Sequence, residues 1–201
     1  MCGRYSLETT IEKLKKKYGI NTENNFDFSS RAEVFPSNQM PVILSDKKEQ
    51  NKKIKALKWG FSPSFTSRLI INARAETVEE KPTFKKAFYR QRCLVPATAF
   101  FEWQKTDNKK IKYKISLENR DLFSFAGIYD TFQDQDKSEI TCFSIITTAA
   151  DDKIVAIHHR MPAILEPEAA QQWLDPGQED TDSLKKCLNS LERDFIWEKE
   201  D

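Results

Sequence analysis

Apolar residues recur along this chain with two repeats, the helical repeat and the two-residue repeat of strands. Ile11, Leu14 and Tyr18 have helical spacing, lysines crowd the last turn, and Gly19 can end the helix, so residues 8–19 are predicted to be helical. Pro82, in the first turn of residues 81–90, predicts a second helix there. Two more helices are predicted at residues 168–174 and 182–191.

The middle of the chain has the pattern of short β-strands. Ile111, Tyr113, Ile115 and Leu117 alternate with polar residues and mark one buried face. Strands are predicted at residues 41–44, 54–61, 69–72, 93–95, 99–103, 111–117, 122–128 and 140–147, with turns at 46–53 and 106–108 and a polar loop at 21–30. Few helices separate these strands. The fold class is therefore predicted to be α+β, with a mainly antiparallel, barrel-like sheet and peripheral helices, rather than a doubly wound parallel sheet.

Length, charge and hydropathy limit the number of domains and the classes of function that fit this chain. The chain has 201 residues without a linker or internal repeat, so a single domain over residues 1–201 is expected. Its 32 Lys and Arg nearly balance its 31 Asp and Glu, so any basic nucleic-acid surface must be local. The lysines at 46–53 are interpreted as a solvated hairpin tip. No apolar run of about 18 residues and no signal-peptide pattern is present, which gives no support for a membrane location or export and makes the cytoplasm the expected compartment.

The cysteines do not form a recognisable metal or disulfide pattern. Cys2, Cys93, Cys142 and Cys187 are widely spaced, and the chain has two histidines, so reduced thiols and neither a metal nor a cofactor are expected. Cys2 has a chemistry that the others lack. Removal of Met1 would leave it with a free α-amine of pKa about 7.7–8.0 beside a thiol of pKa about 8.5. Such a 1,2-aminothiol forms an imine with an aldehyde and then closes to a thiazolidine.

Six short motifs occur in order along the chain. They are Cys2-Gly3-Arg4, Trp59-Gly60-Phe61, Asn72-Ala73-Arg74-Ala75-Glu76-Thr77, Arg92-Cys93-Leu94-Val95-Pro96, Phe100-Phe101-Glu102-Trp103 and His158-His159-Arg160-Met161-Pro162. In order, spacing and the Cys at position two, they resemble the SOS response-associated peptidase (SRAP) family over residues 2–176, which leaves residues 177–201 as an expected helical tail.

The resemblance implies the SRAP fold and a role in the DNA damage response. The implied protein senses abasic sites in single-stranded DNA and cross-links itself to the aldehyde of the lesion through its N-terminal cysteine. The product would be a thiazolidine that shields the lesion. The peptidase label would reflect a self-directed N-terminal processing that exposes the cysteine, and an abasic-site lyase activity is also expected. A monomer is expected, with abasic single-stranded DNA as partner and no membrane.

The resemblance also assigns catalytic residues beside Cys2. It gives Asn72 the role of holding the N-terminal amine and the sugar, although an Asn there also suits a turn cap. Glu102 follows two phenylalanines, so burial should raise its pKa and suit it to proton transfer, unless alternation turns it to solvent. His158 occupies the first position of the motif H-x-R-M-P and His159 the variable one, so His158 should open the sugar ring; without the resemblance, the two would more often be a surface pair.

Candidate DNA-binding residues lie in the same motifs. Arg4, Arg74 and Arg160 can each grip a phosphate, or serve as ordinary ion-pair partners. Trp59 and Phe61 can offer stacking faces for unpaired bases, or belong to the core.

Some positions depart from the family, and two other classes of function stay open. Phe65 stands where the family commonly has tryptophan, and Glu33 where it has asparagine.

A cysteine-dependent peptidase would use the Cys2 thiolate with His158 as base and would need no free amine. A non-catalytic single-strand binding module would need the arginines and aromatics alone.

Overall fold

The computed structural model describes residues 2–21, 27–45, 51–107, 109–134, 136–189 and 193–200. Within them lie helices α1 (Ile11–Tyr18), α2 (Pro82–Arg90), α3 (Pro167–Leu174) and α4 (Thr181–Cys187). The helix predicted at residues 8–19 begins later than expected because the Thr10 hydroxyl caps it by accepting from the Lys13 N–H. It ends where expected, at Gly19, which has the left-handed φ of 65°. No helix in these ranges is long and apolar enough to cross a membrane.

Strands make up most of the rest. They are β1 (Tyr5–Leu7), β2 (Arg31–Val34), β3 (Gln39–Ser45), β4 (Lys52–Trp59), β5 (Asn72–Arg74), β6 (Arg92–Ala97), β7 (Ala99–Lys105), β8 (Lys110–Leu117), β9 (Phe123–Gln133), β10 (Glu139–Ala149), β11 (Arg160–Pro162), β12 (Ile164–Leu165) and β13 (Phe195–Glu200). The burial predicted for one face of β8 is confirmed, since Tyr113, Ile115 and Leu117 are buried and Ile111 is half-buried.

The strands form two sheets, one of which closes on itself. The smaller sheet has the order β13-β8-β7-β1-β2. In the larger sheet β4, β3, β6 and β9 pair antiparallel in sequence, and β10 joins both β9 and β4, which completes a ring of five strands. The expected α+β fold with a mainly antiparallel, barrel-like sheet is therefore confirmed, with the qualification that β10 pairs parallel to β4 and to β5.

The side chains of two neighbouring residues in β6 distinguish the outer face of the ring from its inner face. The Arg92 side chain donates to the carbonyl oxygens of Phe88 in α2 and of Trp173 in α3, so it lies on the outer, helix-covered face. Cys93, the next residue, lies on the inner face, opposite Gly127 of β9. There is no room there for a side chain on Gly127, because an added Cβ would be 2.7 Å from the Cys93 sulfur. The packed interior holds the ring together.

The strand β1 covers one end of the ring. Its Tyr5 ring makes edge contacts with Trp59 and Phe125 at centroid distances of 5.2 and 6.0 Å. The N-terminal residues that precede Tyr5 are thereby held against the same end of the barrel.

Several expectations need correction. The C-terminal tail, predicted to be helical over residues 177–201, contains β13, which pairs with β8 along its whole length. The strand predicted at residues 69–72 is instead β5, preceded by a single bridge between Phe61 and Ile70. The strands β1, β2, β11 and β12 were not predicted. Parts of the predicted loop at 21–30, the turns at 46–53 and 106–108, and the end of the helix at 182–191 lie outside the described residues.

Candidate active site

The pairing of β1 with β7 brings Cys2 to the site. Tyr5 lies opposite Phe100, and the Phe101 N–H donates to the Arg4 carbonyl oxygen at 2.9 Å, so the chain before β1 runs beside Glu102. Cys2 is completely buried, and its thiol donates weakly to the Arg4 carbonyl oxygen at 3.4 Å. Burial, together with the negative charge of Glu102, raises the pKa of the Cys2 thiol well above its usual range. The sulfur is a neutral thiol and needs a base to become nucleophilic.

Asn72 contacts Cys2 from the other side. Asn72 is the first residue of β5, which pairs with Ile145 of β10, and its Nδ2 donates to the Cys2 carbonyl oxygen at 2.9 Å. The Asn72 Oδ1 is buried, and no described residue donates a hydrogen bond to it. Because an unsatisfied buried acceptor costs about 1–3 kcal/mol, this oxygen is suited to a donor on a ligand.

Glu102 supplies a carboxyl group that titrates near neutral pH. All residues of β7 from Ala99 to Glu102 are buried, because both faces of this part of the strand are covered. Glu102 is 2% exposed, and burial raises the pKa of its carboxyl group to about 7. The expectation that its surroundings would raise this pKa is confirmed, and the alternative that Glu102 faces solvent is wrong.

His158 lies beside Glu102. The two side chains approach at 3.8 Å, between His158 Nδ1 and Glu102 Oε1. The same Nδ1 is 3.0 Å from both the backbone nitrogen and the carbonyl oxygen of Arg160. When Nδ1 accepts the Arg160 N–H, the ring proton is on Nε2. Burial lowers the pKa of His158, which favours this neutral form. His159 is exposed, and its ring stacks on His158 with centroids 4.5 Å apart.

Two of the three candidate arginines are already paired with carboxylates. The Arg4 guanidinium donates to Glu33 Oε2 at 2.7 Å and lies 4.0 Å from the centroid of the Phe35 ring. Arg160 makes a bidentate pair with Glu76, at 2.6 and 3.0 Å. Sequence reasoning missed Glu76 as an ion-pair partner and Phe35 as a ring beside Arg4. Glu33 also accepts from Lys112 Nζ at 2.6 Å, so its carboxylate bridges two cations.

Arg74 is placed differently. It is the exposed last residue of β5, two positions after Asn72, so both side chains lie on the same face of the strand. Of the three arginines, Arg74 is the one whose side chain is open to solvent beside the site.

The aromatic residues expected to stack on bases are inside the protein. Trp59 and Phe61 are completely buried, so neither has a ring face open to a base, and this expectation is not supported. Trp59 stacks on Phe143 inside the ring, with centroids 6.3 Å apart. Phe35 and Phe65, in contrast, have exposed rings, with 42% and 71% of their surface open to solvent.

The site combines groups that can transfer protons with a thiol that can act as a nucleophile. Within the described ranges, no group of three or more His, Cys, Asp and Glu side chains could hold a metal ion. The structure does bring together a thiol, an amide with an unused acceptor, a carboxyl group with a pKa near 7 and an imidazole. A buried thiol beside such a base can attack an electrophilic carbon.

Known proteins resemble the chain over nearly its whole length. The family model described as SOS response associated peptidase (SRAP) matches residues 1–199. The abasic site processing protein YoqW of Bacillus subtilis (strain 168) is 33% identical, over 96% of this chain and 89% of that protein. YedK of Escherichia coli (strain K12), also named an abasic site processing protein, is 31% identical over 87% and 79%. The crystal structure of a protein from Bacteroides thetaiotaomicron has a TM-score of 0.85 and 28% identity, covering 98% of this chain and 91% of that one.

Proposed function

The chain belongs to the SOS response associated peptidase (SRAP) family, and from this premise we propose that it processes abasic sites in DNA, as its relatives are named for doing. We propose further that it captures the lesion in single-stranded DNA by a covalent bond to Cys2, after Met1 has been removed. In this proposal the protein acts as a cytoplasmic monomer in the response to DNA damage.

The observation that carries the proposal is the convergence of three remote segments on Cys2. Asn72 binds its carbonyl oxygen at 2.9 Å, burial and the charge of Glu102 raise the pKa of its thiol, and His158 lies 3.8 Å from Glu102. Cys2 is also the one cysteine that loss of Met1 would convert into an aminothiol. The arrangement supports the proposed chemistry, because that chemistry needs a proton acceptor and a hydrogen-bonding amide beside the aminothiol.

The proposed reaction has two bond-forming steps. The Cys2 nitrogen adds to the aldehyde carbon of the open abasic sugar, and loss of one water gives an imine. The Cys2 sulfur then adds to the imine carbon, its proton moves to the nitrogen, and a five-membered thiazolidine closes. If the thiol is missing, proton loss beside the imine can expel the 3′-phosphate and cleave the strand, which is the lyase reaction.

Each neighbouring residue has a role that fits its environment. With a pKa of about 7, Glu102 can accept a proton from the ammonium group or the thiol and return it during loss of water. The protonated form of His158 can donate a proton from Nε2 to the ring oxygen of the closed sugar while the C1′ hydroxyl gives its proton to water, which opens the ring to the aldehyde and leaves a neutral imidazole with its proton on Nδ1 beside the Arg160 carbonyl oxygen. The Asn72 Oδ1 can accept from the amine or a sugar hydroxyl.

Denaturing gel electrophoresis with labelled abasic single-stranded DNA tests the proposal. The parent protein should give a heat-stable shifted band, Cys2→Ala should give none, and Cys2→Ser should give only reversible trapping or strand cleavage. Cys187→Ala, which removes another buried thiol, serves as the matched control and should behave like the parent. Mass spectrometry of each sample establishes whether Met1 has been removed.

The other outcomes separate the alternative functions. A stable adduct formed by Cys2→Ala as efficiently as by the parent would refute the aminothiol mechanism. Native binding without an adduct would favour the non-covalent binding module. Cleavage of added proteins, dependent on Cys2 but independent of Met1 removal, would favour the peptidase.

A further inference from the structure

A pocket lies on the outer face of the barrel, between the end of α1 and the start of α3. Ser124 of β9 lines this pocket, whereas the next residue, Phe125, contacts Tyr5 at the end of the ring. Successive residues of a strand point to opposite faces of the sheet. The pocket is therefore on the other side of the sheet from the interior of the ring, and it is separate from the site around Cys2.

The pocket has the size and the apolar walls of a small-molecule site. Its volume of about 400 Å³ lies within the range of about 300–1,000 Å³ that is typical of such sites. Leu94 of β6 and Leu165 of β12 are almost completely buried beneath it. The apolar part of the described lining is mostly aliphatic and comprises Leu94, Leu122, Phe123, Leu165, Pro167 and Ala170.

Two hydroxyl groups in the lining leave one proton without an acceptor. The oxygens of Tyr18 and Ser124 are 2.8 Å apart, so one hydroxyl donates to the other. The hydroxyl that accepts keeps its own proton, and neither side chain makes a second hydrogen bond to a described residue. Tyr18 is 7% exposed and Ser124 is 4% exposed. Because a buried donor without an acceptor is unfavourable, this spare proton is suited to an acceptor on a ligand.

Two lysines supply positive charge at the rim of the pocket. Lys17 precedes Tyr18 in the last turn of α1, and Lys52 is the first residue of β4. Neither forms an ion pair with any residue that the structure describes. Partial burial and the positive charge of Arg120 lower the pKa of Lys17. An anion beside Lys17 would offset both effects.

The charges nearest to these lysines do not oppose an anion. Arg120, which also lines the pocket, is paired with Glu166 at 2.5 Å, so it adds no net charge. The Glu166 carboxylate is shared with Arg193, at 3.0 Å. No acidic residue is present in the described lining.

We propose that this pocket binds a small aliphatic carboxylate, of the medium-chain fatty acid class. The carboxylate would accept the spare proton of the Tyr18 and Ser124 hydroxyls and lie beside the ammonium group of Lys17. One donor and two ammonium groups suit a singly charged head group. The alkyl chain would lie along Leu94 and Leu165, because these walls are aliphatic. The proposal does not depend on the reaction at Cys2.

Amide NMR of the full chain, titrated with octanoate, tests the proposal. Saturable shifts are expected at Ser124, Leu165 and Ala170. Each buried CH₂ group tightens binding about fourfold, so hexanoate should bind about fifteenfold more weakly than octanoate. Octan-1-ol has the same chain without the charge and should bind at least fivefold more weakly.

Two variants test the head-group contacts. Tyr18→Phe/Ser124→Ala removes both hydroxyls together and leaves no unpaired partner, so the fold should be retained while octanoate binds about tenfold more weakly. Lys17→Met keeps an apolar stem and should weaken binding at least threefold. Lys85→Met removes the same charge from an exposed position of α2, outside the pocket, and should bind like the parent.

Thermal unfolding checks the double variant, and Lys17→Met, a change at an exposed side chain, decides the outcome if the double variant does not fold. Three results would overturn the proposal. The first is the absence of saturable shifts, or shifts spread over the whole surface of the protein. The second is equal affinity for octanoate and octan-1-ol. The third is binding like that of the parent by the folded double variant or, in its place, by Lys17→Met.

Discussion

Replacing Glu102 by glutamine should stabilise the protein above neutral pH, although Glu102 is central to the proposed reaction. Burial raises the pKa of this carboxyl group from 4.5 to about 7. Glu102 is 2% exposed, so solvent screens this effect little. A shift of about 2.5 units corresponds to about 3 kcal/mol of free energy between the two protonation states. Keeping an ionised carboxylate at this position therefore costs the fold about that much.

The pH window follows from the sign of the shift. Below pH 4.5 the carboxyl group is protonated in both the folded and the unfolded chain, and the full stability is present. As the pH rises toward 7, the unfolded chain loses this proton while the folded chain retains it, so the free energy of unfolding falls by about 1.4 kcal/mol per pH unit. Above that window the loss is complete, and the neutral amide of the Glu102→Gln variant avoids it.

Urea unfolding, carried out at several pH values between about 5 and 8, measures how the free energy of unfolding changes with pH. The free energy of unfolding of Glu102→Gln, relative to the parent, should increase by about 2–3 kcal/mol across this range. Glu118→Gln, at an exposed carboxylate, is the matched control and should give a flat difference. Parallel pH curves for Glu102→Gln and the parent would refute the argument, as would a variant that is less stable than the parent at the alkaline end.

The residues around the site lead to three further expected outcomes. Arg74→Ala should weaken binding of single-stranded DNA and reduce the slope of log affinity against log salt by about 0.7, measured by fluorescence anisotropy; an unchanged slope would remove Arg74 from the phosphate contacts. Glu33→Gln should release Arg4 and tighten the same binding about twofold to fivefold, and weaker binding would contradict this. His158→Ala should slow both formation and reversal of the adduct with binding retained, while His159→Ala should do little; the opposite result would shift the assignment to His159.

The sequence predicts those parts of the fold whose burial follows a local repeat. The strand β8 and the helix α1 were predicted because each has one covered face and one polar face. The strands β3 and β6, which are buried on both faces, were predicted from short runs of apolar residues. β1 was not predicted because three residues, one of them the polar but buried Ser6, are too few to form a recognisable alternation or apolar run. β13 escaped for a different reason, since its strand conformation depends on pairing with β8 from a distant part of the chain. Such pairing is decided by tertiary structure.

The same distinction applies to the site. The pKa of Glu102 was predictable from the aromatic residues beside it in sequence. The pairing of Arg4 with Glu33 was not, because the two are 29 residues apart and belong to different elements. The prediction that Trp59 stacks on unpaired bases is not supported, because Trp59 is completely buried. Strand alternation does not reveal which face of a closed sheet points inward.

Arg160 was expected to bind phosphate, but its contacts place it where it holds the backbone beside His158. Its guanidinium binds Glu76 and the Thr147 carbonyl oxygen, at 2.6 Å in each case, which ties it to the segment after β5 and to β10. Its backbone nitrogen and oxygen both lie 3.0 Å from His158 Nδ1. The two-residue spacing in the motif H-x-R-M-P thus lets the arginine side chain anchor the segment whose backbone orients the imidazole. An arginine held in this way fixes the backbone that contacts His158, whose ring lies 3.8 Å from Glu102, and this geometry gives the spacing within the motif a structural reason that does not require contact between Arg160 and DNA.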